Sequence, residues 1–273
     1  MDIMLVPTFS CGTACKTCKT WMFHGTMPVD RFRDLWKRLN DEPEVERLVM
    51  NTLGDINTLD NAEEYLHIMD EYHKRPVVFT TNAKRIPFVP HVEAYICSFN
   101  GGTKEAYEFT TGLNFEEVQA NIRAHYDDFK AKVRDAQVHM VVWSGNRGTE
   151  QQFGELWKDF PGHVRLNYRR TNIPERWASE DEKQTAPVRV FCENLSNITV
   201  FPDGTCQICT CGISTDLKDP QTYGNVFENS LTELMNHPTR LRLQAEEAKG
   251  IYSGACEKCD FNTPIDGKIV YLK

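Results

Sequence analysis

The chain has 273 residues, 40% hydrophobic and 26% charged, which suits one large α/β domain or a domain with a small appendage. Its formal net charge of −8 argues against a broad footprint for duplex nucleic acid, so a small molecule or a peptide is the expected partner. No apolar stretch reaches the ~18 residues that span a bilayer, and the opening apolar run is too short for a signal peptide, so a cytoplasmic location is expected.

In chain order, short apolar runs alternate with amphipathic stretches, the pattern of successive βα units around a parallel sheet. The first strand is predicted over residues 3–7 and runs directly into Cys11, Cys15 and Cys18. A helix over 29–39, with Pro28 at its start, leads to a strand over 47–51 and the turn Leu53-Gly54-Asp55. A helix over 62–73 precedes a strand over 77–81 that ends in Thr80-Thr81-Asn82-Ala83. The fourth strand, 94–99, carries Cys97 and Ser98, with Cys97 expected to face the core outside the barrel and Ser98 to face inward. Asn114 is a candidate N-cap for a helix over 115–129, followed by a strand over 137–143, a helix over 150–160 and a sixth strand over 164–168. Arg169 and Arg170 come next as a solvated pair or a site for a carboxylate or phosphate.

Residues 174–187 are polar and charged and read as a connection. Beyond them the pattern changes to a hairpin over 198–209, turning at Pro202-Asp203-Gly204-Thr205, and to helices near 231–236 and 239–249. The expected division is therefore 1–185 and 186–273.

Ten cysteines are too many for core packing alone in a chain without a secretion signal, and their grouping favours metal or cluster ligation over disulfides. Cys11, Cys15 and Cys18 form a C-x3-C-x2-C run on one tight loop. Three such thiolates can hold three irons of a [4Fe-4S] cube and leave the fourth open to a bidentate small molecule. A zinc site completed by His24 is the alternative. Cys192, Cys206, Cys209, Cys211, Cys256 and Cys259 form a second set, for which a zinc ribbon is the alternative to a cluster.

These motifs resemble the radical S-adenosylmethionine (SAM) superfamily, and the likeness extends over most of residues 1–170. Leu53-Gly54-Asp55 is similar to that family's Gly-Gly-Glu, Thr80-Thr81-Asn82-Ala83 to its Thr-Asn-Gly, and Ile96-Cys97-Ser98-Phe99-Asn100-Gly101 to its Ser-hydrophobic-Asp-Gly. Thr103, Tyr107, Gly112, Phe115, Val118 and Asn121-Ile122 continue the pattern. The resemblance implies a partial (β/α)6 TIM-like barrel, with Gly54, Asp55, Thr81, Asn82, Ser98 and Asn100 as SAM-binding positions and the Asp55 carboxylate receiving the SAM amino group. Thr17 stands where the family usually has an aromatic residue, so Trp21 or Phe23 is expected to pack near the adenine in its place.

Cys192-x11-Gly204-x4-Cys209, then Tyr223-Gly224-Asn225-Val226 with Ser230-Leu231, resembles the SPASM/twitch extension of the same superfamily. That likeness implies a small C-terminal domain with one auxiliary [4Fe-4S] cluster on Cys192, Cys209, Cys256 and Cys259, with Cys206 and Cys211 spare or replacing Cys209. It further implies reductive cleavage of SAM to a 5′-deoxyadenosyl radical, hydrogen abstraction from a substrate, and an oxidoreductase or isomerase outcome. A small molecule of the sugar or nucleoside type is the first expectation and a peptide or protein the second, with a flavodoxin or ferredoxin as electron donor. Trp143, Tyr168, Trp177 and Tyr107 are read as packing residues ahead of substrate contacts.

Overall fold

The computed structural model describes residues 1–168, 193–210, 222–251 and 269–272. Six strands, β1 (Asp2–Leu5), β2 (Arg47–Met50), β3 (Val77–Thr81), β4 (Val92–Ser98), β5 (Val133–Val142) and β6 (His163–Tyr168), pair in chain order, all parallel. Every parallel neighbour needs a crossover; residues 82–91 make the one from β3 to β4 without a helix, and the others run through helices. They are α1 (Val29–Asp41), α2 (Ala62–Glu71), α3 (Lys104–Thr111), α4 (Phe115–Ala124), α5 (Tyr126–Lys132) and α6 (Glu150–Leu156).

Buried and half-buried positions alternate along the strands, except where Ala94-Tyr95, Ala136-Gln137-Val138 and Leu166-Asn167 are buried in succession. Leu5, Leu48, Met50, Phe79, Tyr95, Cys97, Val138, Met140 and Leu166 are buried in the core under the helices. Met4, Val49, Val78, Thr80, Ile96, Ser98, His139, Val141 and Arg165 have the opposite parity, are half-buried, and form the inner face. Cys97 and Ser98 therefore point as the alternation requires. In α1, Phe32, Leu35, Trp36 and Leu39 fall at helical spacing on one buried stripe. Each such side chain contributes about 1.5–3 kcal/mol of burial.

Two differences from the sequence reading have local causes. The helix expected over 115–129 breaks at His125, whose own N–H bonds to the Ile122 carbonyl at 3.2 Å before α5 begins. The short α3 carries a Thr103 cap on Ala106 N–H and a left-handed Gly112 at its end, both legible signals on an element of only eight residues.

Both edges of the six-stranded sheet are extended by the later chain. β7 (Ile198–Val200) pairs parallel with β1, and β8 (Thr205–Gln207) and β9 (Thr222–Asn225) follow antiparallel. β10 (Ile269–Tyr271) pairs antiparallel with β6, so among the described residues ten strands form one sheet. α7 (Leu231–Met235) opens on a capping box between Ser230 and Glu233, and α8 (Pro238–Glu247) has Pro at its first position. The expected boundary at 185, the connection over 174–187, Arg169, Arg170 and Trp177 lie outside the described residues. No helix among the described residues is long and apolar enough to cross a membrane.

Candidate active site

The C-terminal ends of β1 to β4 carry the residues singled out from the sequence, on the face where barrel enzymes place their chemistry. The loop after β1 is closed at its base by a Thr8–Thr26 bridge, with Met27 N–H donating to the Pro7 carbonyl at 2.7 Å. Cys11, Cys15 and Cys18 sit on this loop, half-buried and free of disulfides. The neighbouring elements hold its backbone. Lys16 N–H donates to the Thr110 carbonyl at 2.9 Å, and the Thr13 hydroxyl donates to that of Thr111, so the end of α3 is one anchor. Asn82 Nδ2 donates to the Cys11 carbonyl at 2.7 Å and Lys84 Nζ to that of Gly12 at 3.2 Å, a second anchor from the end of β3.

Burial pushes the Cys15 thiol up to about 12 and the Cys11 thiol well above its ordinary value, so metal-free they stay protonated and iron must displace the proton. Two of the sulfurs meet N–H donors, and Cys15 Sγ lies 4.0 Å from the Thr13 hydroxyl. Asn82 Nδ2 lies 3.3 Å from Cys11 Sγ, Thr20 N–H donates to Cys18 Sγ at 3.3 Å, and the Thr20 hydroxyl is 2.9 Å from the same sulfur. Among the described residues no three His, Cys, Asp or Glu side chains are gathered for a single metal ion. Three cysteines on one loop with N–H groups aimed at two of the sulfurs would suit a cluster, whose thiolates bind separate irons.

Asp55, expected from the resemblance to receive the SAM amino group, is held by the chain's own donors. It is 1% exposed, and its carboxylate accepts from the Thr81 hydroxyl at 2.6 Å, Asn82 N–H at 2.8 Å, Asn57 N–H at 3.0 Å and Asn51 Nδ2 at 3.4 Å. Asn57 continues the network to Thr81 Oγ1 and the buried Tyr95 hydroxyl, on the helix side of the sheet. With four donors of the chain around it, the carboxylate is a hub joining the ends of β2 and β3.

Burial raises the Asp55 carboxyl to about 6, against the lowering effect of its hydrogen bonds. A carboxyl held above its unfolded value favours the folded state while protonated, so that advantage is full below about 4 and is lost as pH rises through about 6. In the metal-free chain, the unfolding free energy of wild type relative to Asp55→Asn is expected to fall across that window, by on the order of 2–3 kcal/mol, and to be flat above it. Urea unfolding at pH values from 4 to 7 measures this, and a pH-independent difference would show that the carboxyl ionises normally.

The other expected positions separate into two kinds. Thr81 is 1% exposed and spent on Asp55, and its oxygen also accepts from Ala83 N–H at 3.0 Å, fixing Ala83 at φ 57, the left-handed conformation that glycine prefers. Asn100 is 8% exposed, and its side-chain oxygen accepts from Val141 N–H at 2.8 Å, tying the end of β4 to β5. Ser98 alone of this group stands on the inner face, beside His139 in the register of β4 and β5. Gly54, at φ 66, passes against the Thr8 carbonyl.

A cavity of about 260 Å³ beside Cys11 is lined by Phe9, Thr13, Trp21, Phe23 and His24, among others. Phe23 packs on Phe9 with ring centroids 5.3 Å apart, and Phe9 on Phe201 at 5.6 Å, so the C-terminal part of the chain contributes to this aromatic wall. Trp143 is 2% exposed, with Nε1 donating to Thr110 Oγ1 at 3.2 Å, and Tyr107 is stacked on Phe99 at 4.1 Å in the core. Both are packing residues, and Trp143 in addition supports the helix end that anchors the cysteine loop.

Cys206 lies on β8, fully buried in the main core, with its thiol pushed up to about 12 by burial, while Cys209 follows the strand at 8% exposure. Cys192, Cys211, Cys256 and Cys259 lie outside the described residues. Sequence reasoning did not single out Thr20, Lys84, Thr110 or Thr111. Thr20, two residues beyond Cys18, was the one with a local signal, since hydroxyl residues commonly bond nearby groups.

Residues 192–260 match the SPASM family, an iron-sulfur cluster-binding domain. The fold matches Streptococcus suis SuiB bound to S-adenosylmethionine at 13% identity and TM-score 0.67, over 95% of this chain and 72% of that one. It matches anSMEcpe with bound AdoMet and the Cp18Cys peptide at 12% identity and TM-score 0.61, over 99% and 92%. BtrN in complex with AdoMet and 2-DOIA gives 13% identity and TM-score 0.54, over 95% and 92%. A search of curated proteins by sequence finds no match.

Proposed function

We propose that this chain, a partial parallel barrel with a SPASM iron-sulfur domain, is a radical SAM enzyme that abstracts hydrogen from a bound substrate. The observation that carries the reading is the loop after β1, where Cys11, Cys15 and Cys18 are held by the ends of α3 and β3 with N–H donors on two of the sulfurs. These three residues would hold a [4Fe-4S] cluster and Cys192, Cys209, Cys256 and Cys259 the auxiliary one. When bound, the first cluster supplies the electron that splits SAM and so starts the radical chemistry.

The chain's own residues orient and enclose. The aromatic wall of Phe9 and Phe23 beside Cys11 offers an apolar face to an adenine, and the half-buried inner positions Thr80, Ile96, Ser98 and His139 line the barrel where a substrate is excluded from water. Phe23→Ala is expected to weaken SAM binding by about 2–10-fold, as for the loss of one ring contact. Equilibrium dialysis with labelled SAM measures this, and unchanged affinity in both Phe23→Ala and Trp21→Ala would remove the wall from the SAM site.

For the substrate, modification of a peptide is supported by the better superposition on SuiB and anSMEcpe, the latter holding a peptide, and oxidation or rearrangement of a small molecule of the sugar or nucleoside type by the likeness to BtrN. The deciding experiment is anaerobic reconstitution followed by incubation with SAM and dithionite. Formation of 5′-deoxyadenosine supports the radical reading, and its absence from a chain with a full complement of iron would overturn it. Stimulation by candidate peptides or by sugars then assigns the substrate class.

A further inference from the structure

We propose that Asn82 tunes and positions the cluster by hydrogen-bonding the Cys11 sulfur, and that Asp55 holds Asn82 in place for that purpose. The proposal rests on the radical SAM reading, and concerns what two of this chain's residues do within it. By the resemblance of Thr80-Thr81-Asn82-Ala83 alone, Asn82 would be a SAM contact; the geometry gives its side chain another task.

The backbone N–H and the side-chain oxygen of Asn82 each have a partner that fixes their direction. Its N–H donates to Asp55 Oδ2 at 2.8 Å, and its side-chain oxygen accepts from Lys84 N–H at 2.8 Å. The first bond sets the backbone and the second the amide plane. What remains is the NH2 group, which points to the cysteine loop and meets Cys11 twice, at the carbonyl oxygen 2.7 Å away and at Sγ 3.3 Å away. An amide has two N–H bonds, so both contacts can be made at once.

The support continues behind it. Asp55 receives Thr81 and Asn82 on one oxygen and Asn57 and Asn51 on the other, and the Ala83 backbone is closed back onto Thr81 Oγ1. A carboxylate 1% exposed and met by four donors is a rigid part, well suited to carry alignment from β2 to the amide of Asn82.

An N–H donated to a cluster thiolate withdraws charge from the sulfur, so it stabilises the reduced cluster more than the oxidised one and raises the reduction potential. Of the three cysteines, Cys11 receives its donor from another strand end and Cys18 from Thr20 two residues on. The Asn82 bond is thus the one that links the cluster's electronics to the barrel.

The test is an EPR-monitored redox titration of the reconstituted protein, following the signal that changes on SAM addition so that the auxiliary cluster is not confused with it. In Asn82→Ala the midpoint of that signal is expected to move to a more negative potential, and in Asn82→Asp, where an oxygen replaces the NH2, to move further in the same direction. Asp55→Asn, which sets an NH2 against the Asn82 N–H, should shift it the same way. An unchanged midpoint in Asn82→Ala would overturn the proposal. A second measurement needs no variant: HYSCORE spectra of the reduced wild-type cluster, made with 15N-labelled asparagine, should show a 15N coupling from Asn82, and its absence would equally overturn the assignment. Wild-type protein that neither binds a SAM-responsive cluster nor forms 5′-deoxyadenosine would instead defeat the radical reading, an outcome these spectra separate from the first.

Discussion

Cys15→Ala is expected to abolish 5′-deoxyadenosine formation and to lower bound iron from about eight to about four per chain, while the far-ultraviolet circular dichroism stays that of wild type. Cys15 sits between the two anchors of the loop, with the Lys16 backbone fixed to the end of α3, so removing its sulfur leaves the loop's course intact and takes away a ligand. A cube left with two thiolates on a half-exposed loop is not retained. The same assay decides the C-terminal set. Cys209→Ala should lose the other group of about four irons, whereas Cys206→Ala should keep all of them and lose stability, because Cys206 is fully buried in the core. Wild-type 5′-deoxyadenosine output from Cys15→Ala would remove the loop from catalysis, and iron loss in Cys206→Ala in place of Cys209→Ala would reassign the auxiliary ligand.

Gly54→Ala is expected to be the most damaging small substitution in the barrel. A Cβ there would lie 1.8 Å from the Thr8 carbonyl oxygen and 2.8 Å from its carbon, both backbone atoms, at a φ of 66. Thr8 is held by the bridge to Thr26 and the next residue by Phe9 N–H to the Gly25 carbonyl at 3.0 Å, so the backbone cannot withdraw without opening the loop that carries the cysteines. Gly112 provides the comparison, since it has a similar φ of 71 but nothing within 4 Å of an added Cβ. Gly112→Ala should therefore report the conformational cost alone, about 1 kcal/mol, and Gly54→Ala that cost plus displacement of the loop, about 3–5 kcal/mol. Urea denaturation of the two metal-free variants measures the difference. Equal destabilisation would mean that the Thr8 backbone yields freely.

The pattern of hydrophobic residues by itself determined the order of the sheet: apolar strand runs and helical stripes such as Phe32, Leu35, Trp36 and Leu39 yield six strands in order with helices in most crossovers, because burial on one face leaves few other arrangements. It also determined the cysteine loop and its place after the first strand, since ligand spacing is a local property. α3 was harder to see, as eight residues hold barely two turns of periodicity.

The orientation of side chains at strand ends was decided only in three dimensions. Asp55 and Asn82 are 27 residues apart, and no local pattern tells whether the Asp55 carboxylate faces a ligand or the Asn82 backbone. In the tertiary structure the carboxylate meets the Asn82 backbone, because a carboxylate removed from water takes whatever donors the neighbouring strand brings to it. Asn82 and Cys11 are 71 residues apart, and the hydrogen bonds between them exist because parallel pairing sets β3 two strands from β1, with the ends of both on one face. The extension of the sheet by β7 beyond β1 and by β10 beyond β6 is of the same kind: an exposed strand edge is completed by whichever later segment reaches it, a choice written in the packing of the whole chain.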